Sequence, residues 1–250
     1  MSDEAPRFFW LHIKKAGGQS ARAALRALYV ETDRSRMPAC FIALPAAEWN
    51  DALNNYRLPL GRWQFRRSEF ARRFLWPEAW EGMLRVAFAR HPLDRAVSMF
   101  QSFADPYGGR PSNLRRLTRY VRALGLRRLP VTRRSAFSAF LDLLELQESL
   151  RTRSIYEPCG LHFSTHTNPM ANDVLDDDGR LNLSHLFRLE CFDAAVRFCH
   201  RELGVPQPRA SSPRRNVSRA PRYEPTPAQR RRVEQLFARD FDLYENALTL

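Results

Sequence analysis

One short segment limits what this chain can become: Phe8-Phe9-Trp10-Leu11-His12-Ile13-Lys14-Lys15-Ala16-Gly17-Gly18-Gln19-Ser20. An apolar run enters, two lysines and two glycines follow, and a helix-forming stretch from Ala21 to Tyr29 leaves. Strand, Gly-rich turn and helix N-terminus in that order hold anions. The glycines let oxygen atoms come close to backbone N–H groups, and the helix adds the positive end of its dipole. The chain has 40 Lys and Arg residues, yet Lys14 and Lys15 are its only lysines. A lysine pair kept where arginine serves everywhere else points to a flexible ammonium acting at this turn. The order is not that of a Walker loop, in which lysine follows the second glycine and directly precedes Ser or Thr.

A second unit of the same kind lies about 75 residues on, at Arg90-His91-Pro92-Leu93-Asp94-Arg95-Ala96-Val97-Ser98. The apolar run 84–89 reads as a strand that ends at Arg90. Pro92 imposes an extended step before it and a helix start after it. Arg90 can fork onto a phosphate, and Ser98 can add a hydroxyl two turns into the helix. Asp94 and Arg95 read as helix-start and pairing residues. Strands at 8–13, 39–44, 84–89 and 186–189 alternate with helices at 20–30, 45–56, 93–103 and 193–203, which predicts a parallel α/β sheet. The middle of the chain is helical. Residues 110–134 carry nine arginines and no acid, and residues 135–150 form an amphipathic helix. The capping box Thr226-Pro227-Ala228-Gln229 opens a last helix running to near residue 248.

The formal charge of +13 and pI near 10.5 favour polyanionic partners. No zinc finger, RNA-recognition motif or helix-turn-helix is visible, so nucleic acid is not the expected partner. No run reaches the roughly 18 apolar residues that cross a bilayer, and the start of the chain is polar and acidic. The expected location is therefore cytoplasmic. The four cysteines, Cys40, Cys159, Cys191 and Cys199, read as buried thiols. Cys159, His162 and His166 lack an evident fourth ligand, and no metal is expected.

The two anion-binding segments together resemble a known family. Residues 12–20 are similar to the 5′-phosphosulfate loop of carbohydrate sulfotransferases of the heparan, chondroitin and dermatan type, His-Ile-Pro-Lys-Thr-Gly-Gly-Thr-Ser. Residues 90–98 resemble their 3′-phosphate motif, Arg-(Asp/Asn)-Pro-x-x-Arg-x-x-Ser. Asp177-Asp178-Gly179, Arg188-Leu189-Glu190, Asn216-Val217-Ser218 and Asp242-Leu243-Tyr244 continue the likeness in order. The resemblance implies one domain over 1–250, with a three-layer sandwich, a central parallel sheet and the architecture of nucleotide kinases. Within it, about 105–170 would be a helical, Arg-rich insertion on the acceptor side.

It also implies a donor, 3′-phosphoadenosine 5′-phosphosulfate, a product, adenosine 3′,5′-bisphosphate, and an acceptor hydroxyl, foremost on an anionic glycan. Carried over by position, Lys15 would stabilise the leaving phosphate. Lys14, the backbone of Ala16, Gly17, Gly18 and Gln19, and the Ser20 hydroxyl would hold the 5′ end. Arg90, Ser98 and Asn216 would hold the rest of the nucleotide.

Departures shape the rest. Lys14 stands for proline, and Ala16 and Gln19 stand for threonines. Relatives often carry Gly-His where this chain has Gly61-Arg62, and that histidine serves as general base. A guanidinium cannot accept a proton. Arg62 then becomes a candidate for binding an anionic acceptor, and Glu69, His162 and His166 become candidates for the base. Two other readings stay open: a nucleotide-kinase-like phosphotransferase, and a nucleotide- or polyanion-binding protein without turnover.

Overall fold

The computed structural model describes residues 7–105, 119, 121–122, 125, 132–151, 160–207 and 221–249. In chain order they form β1 (Phe8–Leu11), α1 (Gly18–Leu25), α2 (Trp49–Leu53), α3 (Arg67–Phe70), β2 (Leu84–Ala89), α4 (Pro92–Phe103), α5 (Arg133–Arg151), α6 (Leu161–Thr167), α7 (Met170–Val174), β3 (His185–Arg188), α8 (Phe192–Glu202), α9 (Pro227–Leu236) and α10 (Ala238–Glu245). Most of the arginine-dense segment, Cys159 and Asn216 lie outside the described residues. The chain divides into two compact units. One takes Met1–Ala89, Met170–Arg215 and Asn246–Leu250; the other takes Arg90–Pro169 and Asn216–Glu245.

The first unit holds a parallel sheet in the order β1-β2-β3. Phe8 pairs with Leu84 and Leu11 with Ala87, while Val86 pairs with His185 and Ala89 with Arg188. Every β1 side chain is buried, as expected for a strand covered on both faces. Phe8, Trp10, Val86, Phe88 and Phe187 share a core with Ala21, Ala24 and Leu25 of α1 and Ala195, Val196 and Cys199 of α8. Phe9 points the other way, 4.9 Å from Trp80 and 5.8 Å from Trp76, ring to ring. Burying one such aromatic side chain contributes about 1.5–3 kcal/mol.

β1 is an edge strand, and its free edge is covered by side chains of α2. Asn50 accepts from Trp10 N (3.1 Å) and donates to Trp10 O (2.8 Å), while Asn54 accepts from His12 N (2.6 Å). Asparagines four apart on one helical face thus take the place of a neighbouring strand. The expected strand at 39–44 is absent for this reason. Phe41–Ala43 is a single 3-10 turn, with Phe41 buried and Ile42 92% exposed.

The second unit packs α4, α5, α6, α9 and α10 around Phe100, Phe103, Phe137, Phe140, Phe163, Tyr223 and Phe237. Buried Arg95 pairs with Asp240 (3.4 Å), and its guanidinium also donates to Asn168 O. The capping box forms as expected: Thr226 N donates to Gln229 Oε1 (3.0 Å), and Gln229 N to Thr226 Oγ1 (3.4 Å).

Other boundaries shift. The helix expected at 20–30 begins at Gly18 and tightens into a 3-10 turn at Arg26–Leu28. The helix expected at 45–56 is a 3-10 turn followed by α2. The last helix breaks at Phe237 and ends at Glu245. The chain end then pairs with the outer edge of β3: Leu248 N donates to Leu186 O (2.8 Å), and Arg188 N to Leu248 O (3.0 Å). A strand edge offers these bonds, and a continued helix would forfeit them. Of the described cysteines only Cys199 is buried, and burial pushes its thiol up to about 12. Cys40 is exposed and Cys191 half-buried, which corrects the reading of all four as buried.

Candidate active site

Three parallel strands end on one edge of the sheet, where parallel α/β proteins bind their ligands. β1 leads into the turn 12–17. β2 ends at Ala89, and the chain continues into Arg90. β3 ends at Arg188, and Leu189 follows.

The turn after β1 is tightly wound. Ile13 N donates to Leu11 O (3.1 Å), and Ala16 N to Ile13 O (3.2 Å). Lys15 has φ +68°, the only left-handed backbone among the described non-glycine residues, and Gly17 has φ +74°. A lysine in that region costs about 1 kcal/mol or more, which the surrounding bonds must offset. Helix α1 opens at Gly18, and Gly17 before it has no side chain to cap the first N–H groups. Its first bond runs from Ala21 N to Gly17 O (3.0 Å). The N-terminal N–H groups of Gly18, Gln19 and Ser20 therefore precede the helical ladder and suit an anion.

The glycines have a second reason here. A Cβ on Gly17 would come within 2.7 Å of Leu189 Cδ1, and one on Gly18 would overlap the imidazole of His12. The turn closes against its own strand and against the residue following β3. Side chains are therefore excluded by contact at Gly17 and Gly18.

Lys14 and Lys15, adjacent in sequence, part ways. Lys14 is buried, and its ammonium donates to Asn54 O (2.6 Å) and lies 3.0 Å from His12 Nδ1. Burial lowers its pKa well below the usual lysine value, the Arg67 guanidinium lowers it further, and Asp173 opposes the shift. Lys14 thus braces the turn from beneath, joining α2 to His12. Lys15 is half-buried. Arg67 completes the floor: its guanidinium donates to Leu53 O and Gln64 O (3.3 Å), its backbone N to Asp173 Oδ1 (3.4 Å), and burial pushes it down to about 10. His12, Asn50, Asn54 and Arg67 were not singled out from the sequence. The readable signal was the Asn50/Asn54 pair at one-turn spacing.

Glu69 is fully buried and receives Arg72 Nη2 (2.9 Å), the Arg73 guanidinium and Asn182 Nδ2 (3.2 Å). Burial alone would raise its pKa, but the bonds from Arg72 and Arg73 outweigh it and hold the carboxyl below the usual range. Such a carboxylate is a weak proton acceptor. Arg62 is exposed and lies over the Trp63 ring (5.0 Å), following Gly61 at φ +56°.

In the second unit His91 precedes α4, with Pro92 at its first turn, and its ring lies edge-on to Phe241 (5.4 Å) and Tyr244 (5.2 Å). Arg90 and Ser98 are half-buried. His162 is exposed on α6, 4.4 Å from the His166 ring and 5.2 Å from that of Phe103. Asn216 lies outside the described residues. Among those described, no group of three or more His, Cys, Asp or Glu could hold a metal ion, and no helix is long and apolar enough to cross a membrane.

The first unit is thus a parallel sheet whose first strand feeds a left-handed, glycine-built turn and a helix without a side-chain cap, an α/β arrangement. The chain belongs to the Sulfotransferase family, which it matches over residues 1–246. Sulfuryl transfer is the chemistry of that family, and its members generally draw on the adenosine phosphosulfate donor. Comparison with curated proteins and with solved structures gives no match.

Proposed function

We propose that the chain moves a sulfuryl group from 3′-phosphoadenosine 5′-phosphosulfate to a hydroxyl of a carbohydrate acceptor, most readily an anionic glycan. The observation that carries this is Lys15. Its strained backbone holds one lysine out of line with its buried neighbour, at the mouth of a turn whose N–H groups and helix end favour anions. Sulfuryl transfer requires an in-line nucleophile and neutralisation of the departing phosphate, not a covalent intermediate.

In this reading the Lys15 ammonium meets the charge that grows on the leaving phosphate. The backbone of Ala16, Gly17, Gly18 and Gln19, with the Ser20 hydroxyl, holds the 5′-phosphate. Arg90 and Ser98 take the 3′-phosphate, and Asn216 adds a polar contact to the nucleotide. Lys14, placed here by its sequence, instead holds the turn in shape. Arg62 serves the acceptor. Of the candidate bases, Glu69 is tied up by two guanidinium groups and His166 Nδ1 lies 2.7 Å from His162 O, which leaves the acceptor proton to His162, whose imidazole is exposed.

The test is calorimetric. Adenosine 3′,5′-bisphosphate should bind without Mg²⁺, and radiolabelled donor should transfer its sulfur to a glycan in a panel of glycans, lipids and phenols. Binding of ATP that depends on Mg²⁺, with none of the bisphosphate, would overturn the reading in favour of a phosphotransferase.

A further inference from the structure

Beside the turn stands a group of side chains that the transfer step itself does not use. Three guanidinium groups surround the indole of Trp63, those of Arg62 at 5.0 Å, Arg73 at 5.5 Å and Arg66 at 5.9 Å. The ring meets Phe74 edge-on at 5.3 Å, and Phe74 is 52% exposed. Local backbone produces this display. After α3 the chain widens into a π-helical turn, Ala71–Leu75, closed by Trp76 N donating to Ala71 O (3.0 Å). The wide turn sets Arg72 and Arg73 on Glu69 and leaves the Phe74 ring in water. Such turns cost helical bonds and cluster at functional sites. On the other side Gly61, with its left-handed backbone, turns Arg62 onto the indole.

The ion pairs are unevenly shared. Asp177 pairs with Arg66 (2.6 Å) and Arg73 (2.6 Å), and Glu69 with Arg72 (2.9 Å) and Arg73. Asp176 and Glu81 reach Arg72 from farther away. Arg62 has no carboxylate partner among the described residues, and Arg66 and Arg73 share one.

We propose that Arg62, Trp63, Arg66 and Phe74 form a subsite for one acidic sugar unit, its carboxylate or sulfate gripped by Arg62 and Arg66 and its apolar C–H face laid on Phe74 and the edge of Trp63. A forked guanidinium matches a planar or trigonal anion, and a guanidinium already stacked on indole loses little freedom on binding. The aromatic rings give area without flexible chains. Arg66 is the neighbour of Arg67, whose buried side chain floors the turn against Leu53 and Lys14, so the subsite leads from the base of that turn. This deepens the proposed function: it rests on that reading only in taking the sugar as the acceptor.

The experiment titrates a non-sulfated chondroitin hexasaccharide, a heparin hexasaccharide and a carboxyl-reduced chondroitin hexasaccharide into the full chain. Calorimetry and tryptophan fluorescence report binding, and adenosine 3′,5′-bisphosphate is titrated in parallel. The acidic sugars should bind and quench Trp63, and the carboxyl-reduced sugar should not. R62A should weaken acidic-sugar binding about tenfold or more. R62K should fall between, because it keeps the charge and loses the fork. F74A, at a half-exposed position, should weaken it about threefold through lost contact area. R201A, an exposed arginine on α8, should change nothing. Every variant should keep its affinity for the bisphosphate.

Equal loss in R62A and R201A would mean diffuse attraction to a basic protein and would overturn the subsite, as would equal binding of the carboxyl-reduced sugar. If the bisphosphate fails to bind while the sugars still depend on Arg62, the donor reading falls and the subsite stands. If the bisphosphate binds and the sugars do not, the subsite falls alone.

Discussion

Two strand-to-helix passages in this molecule begin from neighbouring parallel strands and are built from opposite materials. After β1 the chain uses left-handed backbone, Lys15 and Gly17, and starts its helix with no side-chain cap. After β2 it uses His91 and Pro92, keeps every φ negative, and starts α4 at once. The first passage presents the backbone N–H groups of a helix start that no side chain caps. The second offers side chains, Arg90 and Ser98, on a rigid corner. The first passage has no room for a Cβ at Gly17 or Gly18, whereas the second would lose its grip when one guanidinium is cut away.

That contrast can be broken by mutation. The largest effect should come from Lys15→Ala, which should lower turnover about 10²–10³-fold, far more than it weakens binding of adenosine 3′,5′-bisphosphate. Single-turnover rates with labelled donor measure it, and an unchanged rate removes Lys15 from the chemistry. Arg90→Ala should do the reverse, weakening bisphosphate binding by about 2–3 kcal/mol in calorimetry. If the two variants behave alike, the distinction between the passages fails.

Gly18→Ala sharpens it. The added Cβ meets His12, and overpacking there should cost about 2 kcal/mol of stability as well as donor affinity. The double variant His12→Ala with Gly18→Ala should recover part of the stability, because the obstruction is one imidazole. A glycine kept only for phosphate approach would show no such recovery in thermal unfolding.

The smallest effect tests the support beneath the acceptor side. Glu69 has its folded-state pKa held down, so its contribution is complete above the ordinary carboxylate value near 4.3 and fades as pH falls through the folded value. Glu69→Gln should cost about 1.5 kcal/mol at neutral pH and converge with the parent protein in acid. Denaturant midpoints at several pH values decide it; a gap that persists in acid would mean the loss is not one of charge.

The sequence made both passages legible because each depends on residues with restricted or released backbones. Gly-Gly after an apolar run and proline after arginine leave few local conformations, and β1, β2, β3 and α4 appear within a few residues of their expected places. The strand expected at 39–44 failed because an apolar run cannot report that asparagines of α2 occupy the edge it would have joined. The burial of Lys14 was illegible for a related reason. Adjacent lysines look alike in sequence, and only the turn's handedness sends one inward to Asn54 O and His12.

Sequence alone determined the family and the order of strand, turn and helix, because these follow from local backbone freedom and apolar patterning. Tertiary structure decided which of two lysines is buried, why Gly18 must be glycine, and that Glu69 is locked between arginines. Those outcomes depend on atoms brought together across tens of residues, where burial and hydrogen bonding set the energies and no local pattern records them.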